Sequence, residues 1–221
     1  MKASQQESYW QRSGYRGPTH PVVEAYVGPK LDLIESVMPL AGRSVLDVGC
    51  GPGLFTHHLQ RRARRVVGTD RSAWMLEQAE GLKCVEADAA DLPFENESFD
   101  VAFEANLLHH ADDPAAVVAE MSRVAREAVV IIEVNRWNPV MLAYSLLNPA
   151  ERGGLRSSRR YLCRLLGRAG LSVAKFWTTG MISQNHTPAF LCPLLRIFDF
   201  DFPLGEYHVG VALKPSGEKT S

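Results

Sequence analysis

Cysteine is scarce in this chain, with Cys50, Cys84, Cys163 and Cys192 the only four in 221 residues and no C-x-x-C pair among them. None stands at metal-ligand spacing with any of the seven histidines, so no spacing marks a metal site. A chain of this length buries enough surface to fold without disulfide staples, and the sparse thiols fit a reducing cytoplasm. Charge of one sign is lacking too. A formal net charge of -1 gives no general attraction for a phosphate backbone, which argues against a nucleic-acid partner and for a small molecule. No apolar run reaches the length of a membrane helix, and Met1 to Gly17 has no apolar core of signal-peptide length. With no internal repeat and no low-complexity linker, a single domain over residues 1–221 is expected. Nothing in the sequence sets an oligomeric state.

Against these absences stands one dense motif, Ser44-Val45-Leu46-Asp47-Val48-Gly49-Cys50-Gly51-Pro52-Gly53. Val45 to Val48 is a short apolar run bounded by glycines, as a buried parallel strand requires. The glycines at 49, 51 and 53 permit a sharp turn and let a ligand approach the backbone closely. A dinucleotide fingerprint would need G-x-G-x-x-G, and position 54 is leucine, which disfavours NAD. Asp70 closes the next apolar run, about twenty residues past the glycines, where a carboxylate can accept hydrogen bonds from both hydroxyls of a ribose.

The rest of the chain alternates strand and helix. One kinked helix or two short ones span Pro21 to Pro39, interrupted by Gly28 and Pro29. A helix from Leu54 to Ala63 ends among Arg61, Arg62 and Arg64, cations suited to a helix carboxyl end. Strands are expected at Val66–Gly68, Cys84–Glu86, Val101–Phe103, Val129–Val134, Ser172–Trp177 and Tyr207–Leu213. Helices are expected from the Ser72 cap to Ala79, over Pro114–Ala125 and over Ser158–Ala169. This order implies an α/β fold with a parallel sheet covered on both faces.

The glycine turn and its Leu-Asp-Val resemble the first motif of the class I S-adenosylmethionine-dependent methyltransferases, and the likeness extends over roughly Ser44 to Val134. It implies a Rossmann-like, doubly wound, mostly parallel seven-stranded sheet with the last strand antiparallel. It divides the domain into a helical N-terminal cap (1–42), a cofactor-binding half (43–134) and an acceptor-side half (135–221). By resemblance, S-adenosyl-L-methionine is the cofactor, leaving as S-adenosyl-L-homocysteine, held by Asp47, Gly49, Gly51, Gly53 and Asp70. Met75 would pack on the adenine face, Asp88 would accept from the adenine amino group, and the Ala89 amide would reach the ring nitrogen. The strand end at Glu104-Ala105 would meet the methionine part of the cofactor.

Asn106-Leu107-Leu108-His109-His110-Ala111-Asp112-Asp113-Pro114 resembles a segment common in the small-molecule members of this family. The base-stacking Asn-Pro-Pro-Tyr of nucleobase amino-methylating enzymes is absent. So are the paired glutamates of arginine methyltransferases. Either His109 or His110 can take a proton from an acceptor hydroxyl or serve only as a packing group. Glu133 lies on the same rim, and Asn135 just beyond it, each placed to orient an imidazolium or bind substrate, and Glu133 joins the two histidines as a candidate catalytic residue. The implied reaction is methyl transfer to the oxygen or carbon of a small, partly apolar acceptor, such as a secondary metabolite or a sugar-bearing or quinone-like compound. A catalytically silent module binding S-adenosylmethionine or S-adenosylhomocysteine is the alternative.

Two insertions, 135–155 and 178–206, carry no interpretable motif. The first suits a lid. The second, rich in Phe190, Leu191, Leu194, Leu195, Ile197, Phe198, Phe200 and Phe202, is expected as an apolar wall over the acceptor, with His186 or Tyr207 adding a polar contact. Peripheral membrane contact, helped by Arg160, Arg164 and Arg168, remains open beside a plain solvated face. Tyr9, Trp10, Tyr15 and His20 form either a cap over the cofactor or a loose arm.

Overall fold

The computed structural model describes residues 14–215 together with Gln11. Seven strands form one sheet in the order β3-β2-β1-β4-β5-β7-β6. These are β1 (Ser44–Val48), β2 (Arg65–Asp70), β3 (Cys84–Glu86), β4 (Phe99–Ala105), β5 (Ala125–Val134), β6 (Ser172–Thr179) and β7 (Tyr207–Leu213). Strands β1 to β5 run parallel, and β7 is antiparallel to both β5 and β6. The chain leaves β1 toward β2 on one side and returns to β4 on the other. A crevice therefore opens at the carboxyl ends of β1 and β4.

Alternation along the strands fills two cores. Val45, Val101, Phe103, Val130 and Ile132 face α1 (Pro21–Glu35) and α2 (Leu54–Leu59). Leu46, Val48, Ala102, Val129 and Ile131 face α4 (Pro114–Val124) and α6 (Arg159–Arg168). Between β2 and β3 runs the short α3 (Ala73–Gln78), and α4 passes directly into β5 without a connecting loop. Within the 21–39 segment a single helix, Pro21–Glu35, takes Pro29 into its interior, and a turn follows it. Helix α2 stops at Leu59 rather than Ala63, because Arg62 is drawn to Asp32 and Glu35 of α1, 2.6 Å from each. Insertion 135–155 folds into α5 (Pro139–Leu147) and a 3-10 turn, Pro149–Arg156. Insertion 178–206 holds only short helical turns, including α7 (Cys192–Leu195). Among the described residues no helix is long and apolar enough to cross a membrane.

A buried clasp joins β1 to β4. Asp100 Oδ2 accepts from the amide and hydroxyl of Ser44 at 2.7 and 2.8 Å, while Arg126 pairs with Oδ1. Burial alone would raise this carboxyl, but Ser44 and Arg126 outweigh it and hold it below the usual carboxylate range. Asp100→Ala strands these donors, and urea denaturation should show a loss of about 2–4 kcal/mol at neutral pH. Because the folded value is depressed, the contribution is complete above the unfolded pKa and fades as pH falls through the folded one. Wild type and variant should therefore converge in acid.

Candidate active site

The turn after β1 is built by left-handed glycines. Gly51, at φ 53°, points its missing side chain toward open space, with only the Met75 sulfur at 4.0 Å. Gly53 differs, since a Cβ there would sit 2.2 Å from Leu82 Cδ1, so it packs against the end of the α3 segment instead. Below the turn, Asp47 Oδ2 accepts from Thr56 Oγ1 at 2.6 Å. Burial, eased by that bond, pushes the Asp47 carboxyl up to about 7.

Asp70, at the end of β2, accepts from the Gly51 amide through Oδ2 and the Ser72 amide through Oδ1, each at 2.9 Å. Burial raises this carboxyl despite the backbone amides of Ser72 and Gly51 and the charge and backbone of Arg71. Ser72 caps α3 by accepting from Met75 N at 3.3 Å, which fixes the buried Met75 beside the turn. Across from it, the Ala87 amide donates to Asp70 O at 3.0 Å and Asp88 Oδ1 accepts from Ala90 N at 2.9 Å, so the segment after β3 closes the same wall.

Asp47, Gly51, Asp70, Met75, Ala87 and Asp88 line one end of a single cavity of about 630 Å³. At its other end stand His109, His110, Glu151, Tyr144, His186 and Tyr207. His109 is 7 % exposed and lies between two carboxylates. Its Nδ1 is 2.8 Å from Glu133 Oε2, and its Nε2 is 3.3 Å from Glu151 Oε2. Burial alone would lower the imidazole pKa, but Glu133 and Glu151 together push it up to about 10. His110 packs 4.0 Å away, ring to ring, and burial together with His109 pulls it down to about 3.

Sequence expectation and geometry coincide in part. Asp47, Gly49, Gly51, Asp70, Met75, Asp88, Ala89, His109 and His110 all line the cavity. Gly53, Glu104 and Glu133 are not on its wall. Glu104 is fully buried beneath the floor, where Oε2 accepts from Leu107 N at 3.0 Å and burial, then Glu133, raises its carboxyl well above the ordinary range. Glu133 stands behind His109, and Ser157 Oγ reaches it at 3.5 Å. The next residue after β5, Asn135, is turned away to Pro203 O and Gly205 O.

The roof departs further from expectation. Phe190, Leu194, Ile197 and Phe200 are exposed, and the polar run Ser183 to His186 lines the cavity in their place. Helix α5 supplies Met141, Tyr144 and Ser145 to the wall. Tyr15 lines the cavity from the N-terminal side, and Arg16 donates to Thr187 O at 2.7 Å and Gln184 O at 3.2 Å. His20 instead caps α1, accepting from Val22 N. Tyr9 and Trp10 lie outside the described residues. Arg160, Arg164 and Arg168 are exposed on α6. Sequence reasoning does not find Glu151 and Tyr144, which sit in an insertion without periodicity or motif.

Comparison with known proteins bears on the domain and on the fold. A family model described as a methyltransferase domain matches residues 46–132. The chain is 35% identical over 129 residues to the ubiquinone biosynthesis O-methyltransferase of Hahella chejuensis, covering 53% of this chain and 54% of that one. It is 28% identical over 205 residues to the protein of the same name from Neisseria meningitidis serogroup A, covering 81% and 84%. It thus spans about half the length of the first relative and most of the second. Among solved structures, a SAM-dependent methyltransferase of Thermotoga maritima superposes with a TM-score of 0.69 at 19% identity, covering 96% of this chain and 95% of that one. One from Aquifex aeolicus gives 0.65 at 15% identity, with 97% and 100% covered. At these identities the structural likeness speaks for the fold.

Proposed function

Because the chain belongs to the class I S-adenosylmethionine-dependent methyltransferases, by its domain and by its sheet, we propose that it methylates an oxygen of a small, partly apolar acceptor of phenol or quinol type. The observation that carries this reading is the continuity of one cavity from Asp70 and Gly51 to His109, His110 and Glu151. S-adenosylmethionine, when bound, supplies a sulfonium methyl group for an acceptor oxygen to take. The open space over Gly51, with the Asp70 carboxylate beside it on the cavity wall, fits a nucleoside. Asp70 would hold the ribose hydroxyls, Met75 the base face, and Asp88 with the Ala89 amide the base edge. Asp47 and Gly49 would face the methionine part.

At the far end, His109, held as the imidazolium between Glu133 and Glu151, can orient an acceptor hydroxyl. The neutral imidazole of His110 and the carboxylate of Glu151 are the groups left to receive its proton. Met141 supplies apolar surface to the same end, and Tyr15 and the 183–186 run help to exclude water. Alignment and desolvation are the main demands of such a displacement. The names of the relatives, O-methyltransferases of ubiquinone biosynthesis, support oxygen over carbon and a quinone-type ring over a sugar.

The test is transfer of a labelled methyl group to a panel of catechols, phenols and hydroquinones, beside calorimetric titration with S-adenosylmethionine and S-adenosylhomocysteine. Labelled methyl ether, with demethylated cofactor in equal amount, is the expected product. Tight cofactor binding with no transfer to any hydroxyl would overturn the proposal and leave a silent binding module.

A further inference from the structure

His109, His110 and Glu151 do more than line the acceptor end, because their ligand atoms converge. The two Nε2 atoms approach the same Glu151 oxygen, at 3.3 Å from His109 and 3.9 Å from His110. One ligand atom from each residue falls within 4.8 Å of the others. Ligand atoms about 2.0–2.1 Å from a tetrahedral zinc stand roughly 3.3 Å apart, so the trio needs small rotamer adjustments to close on one ion. Two imidazoles and a carboxylate form a donor set suited to divalent first-row metals, with no thiolate to favour a softer ion.

The surroundings are those of a built site. Glu133, itself 0 % exposed, holds His109 Nδ1 at 2.8 Å and so turns Nε2 toward the cavity. A carboxylate behind a ligating histidine is the usual way such a ring is oriented. Glu151 is brought to the pair by close seating of its turn, for a Cβ on Gly153 would lie 1.6 Å from His109 O. Two carboxylates thus converge on His109 in a region of low exposure, where a divalent cation would displace the proton on His109 Nε2 and take its place beside Glu151. The Cys and His spacings show none of this, because Glu151 reaches the histidines only through the folded insertion.

We propose that His109, His110 and Glu151 bind one divalent cation of the zinc or iron(II) class, with Glu133 as the outer carboxylate and a coordination position open to the cavity. Three protein ligands and an open position are the pattern of reactive rather than structural sites. Use of that position to hold an acceptor oxygen rests on the O-methylation reading; binding of the ion does not.

The full chain, stripped with chelator, is titrated with Zn²⁺ by calorimetry and with Co²⁺ by visible absorption, without cofactor or acceptor. One equivalent per chain is expected, with the cobalt bands of an imidazole-ligated ion. His110→Ala and Glu151→Gln, at half-buried positions more tolerant of change than His109, should each weaken Zn²⁺ binding at least about 30-fold. His57→Ala, in the separate His57–His58 pair, should leave it unchanged. No saturable binding by wild type would overturn the proposal, as would an isotherm and cobalt spectrum unaltered in both site variants or a loss confined to His57→Ala. S-adenosylmethionine titration of the same samples reports separately on the methyltransferase reading.

Discussion

Asp70→Ala is expected to lower affinity for S-adenosylmethionine and S-adenosylhomocysteine by at least about 100-fold, read by calorimetry. Hydrogen bonds to a charged group contribute roughly 1.5–3 kcal/mol each, and loss of two ribose contacts corresponds to about two to four powers of ten. The carboxylate also organises the site in advance, because it receives the amides of Gly51 and Ser72 at 2.9 Å each. Its removal loosens the glycine turn and the start of α3 together. Asp70→Asn keeps the shape and one carbonyl oxygen, so its loss should be smaller, about tenfold. An Asp70→Ala protein that binds within about threefold of wild type would remove the ribose assignment.

Gly153→Ala is the second large effect, and it should separate the two ends of the cavity. The added methyl would meet His109 O at 1.6 Å and its carbonyl carbon at 2.7 Å, both backbone atoms that cannot rotate away. The turn Pro149–Arg156 must lift, carrying Glu151 from the histidines. A displacement of about 1 Å at a reacting centre can cost about 100-fold in rate, so turnover should fall by at least that factor. Cofactor affinity should stay within about twofold, since none of the Asp70 contacts involves this turn. Overpacking of this kind costs about 1–3 kcal/mol, leaving a folded chain for the binding measurement. Gly167→Ala, on α6 where a Cβ meets nothing within 4 Å, is the matched control and should keep full activity. Equal turnover in the two variants would show that Glu151 has no part in the chemistry.

Much of the cofactor side is legible in the amino-acid sequence because its signals are local. The Leu-Asp-Val strand, the glycines and Asp70 lie within one β-α-β unit, where spacing alone fixes what comes together. Cys84–Glu86 is legible at its observed bounds, and the antiparallel last strand follows from family likeness. Helix α2 reads too long in the sequence because Arg61 to Arg64 tolerate helix well, while the pull of Asp32 and Glu35 on Arg62 is tertiary. The acceptor side is less legible for the same reason. Glu151 gains its meaning from the fit of Gly153 against a distant carbonyl. The phenylalanines and leucines of 190–200 mislead in the opposite sense, since hydrophobicity predicts burial but does not say which face a short turn presents.

The guanidinium of Arg16 spans two parts of the roof that the chain order keeps far apart, the N-terminal arm and the segment before α7. Tyr15 comes with the first and His186 with the second, and both border the same hollow. One guanidinium therefore ties the two segments together, and with them the positions of Tyr15 and His186. Loss of that side chain would free both segments at once, so two stretches of the rim depend on a single guanidinium's grip on two carbonyl oxygens.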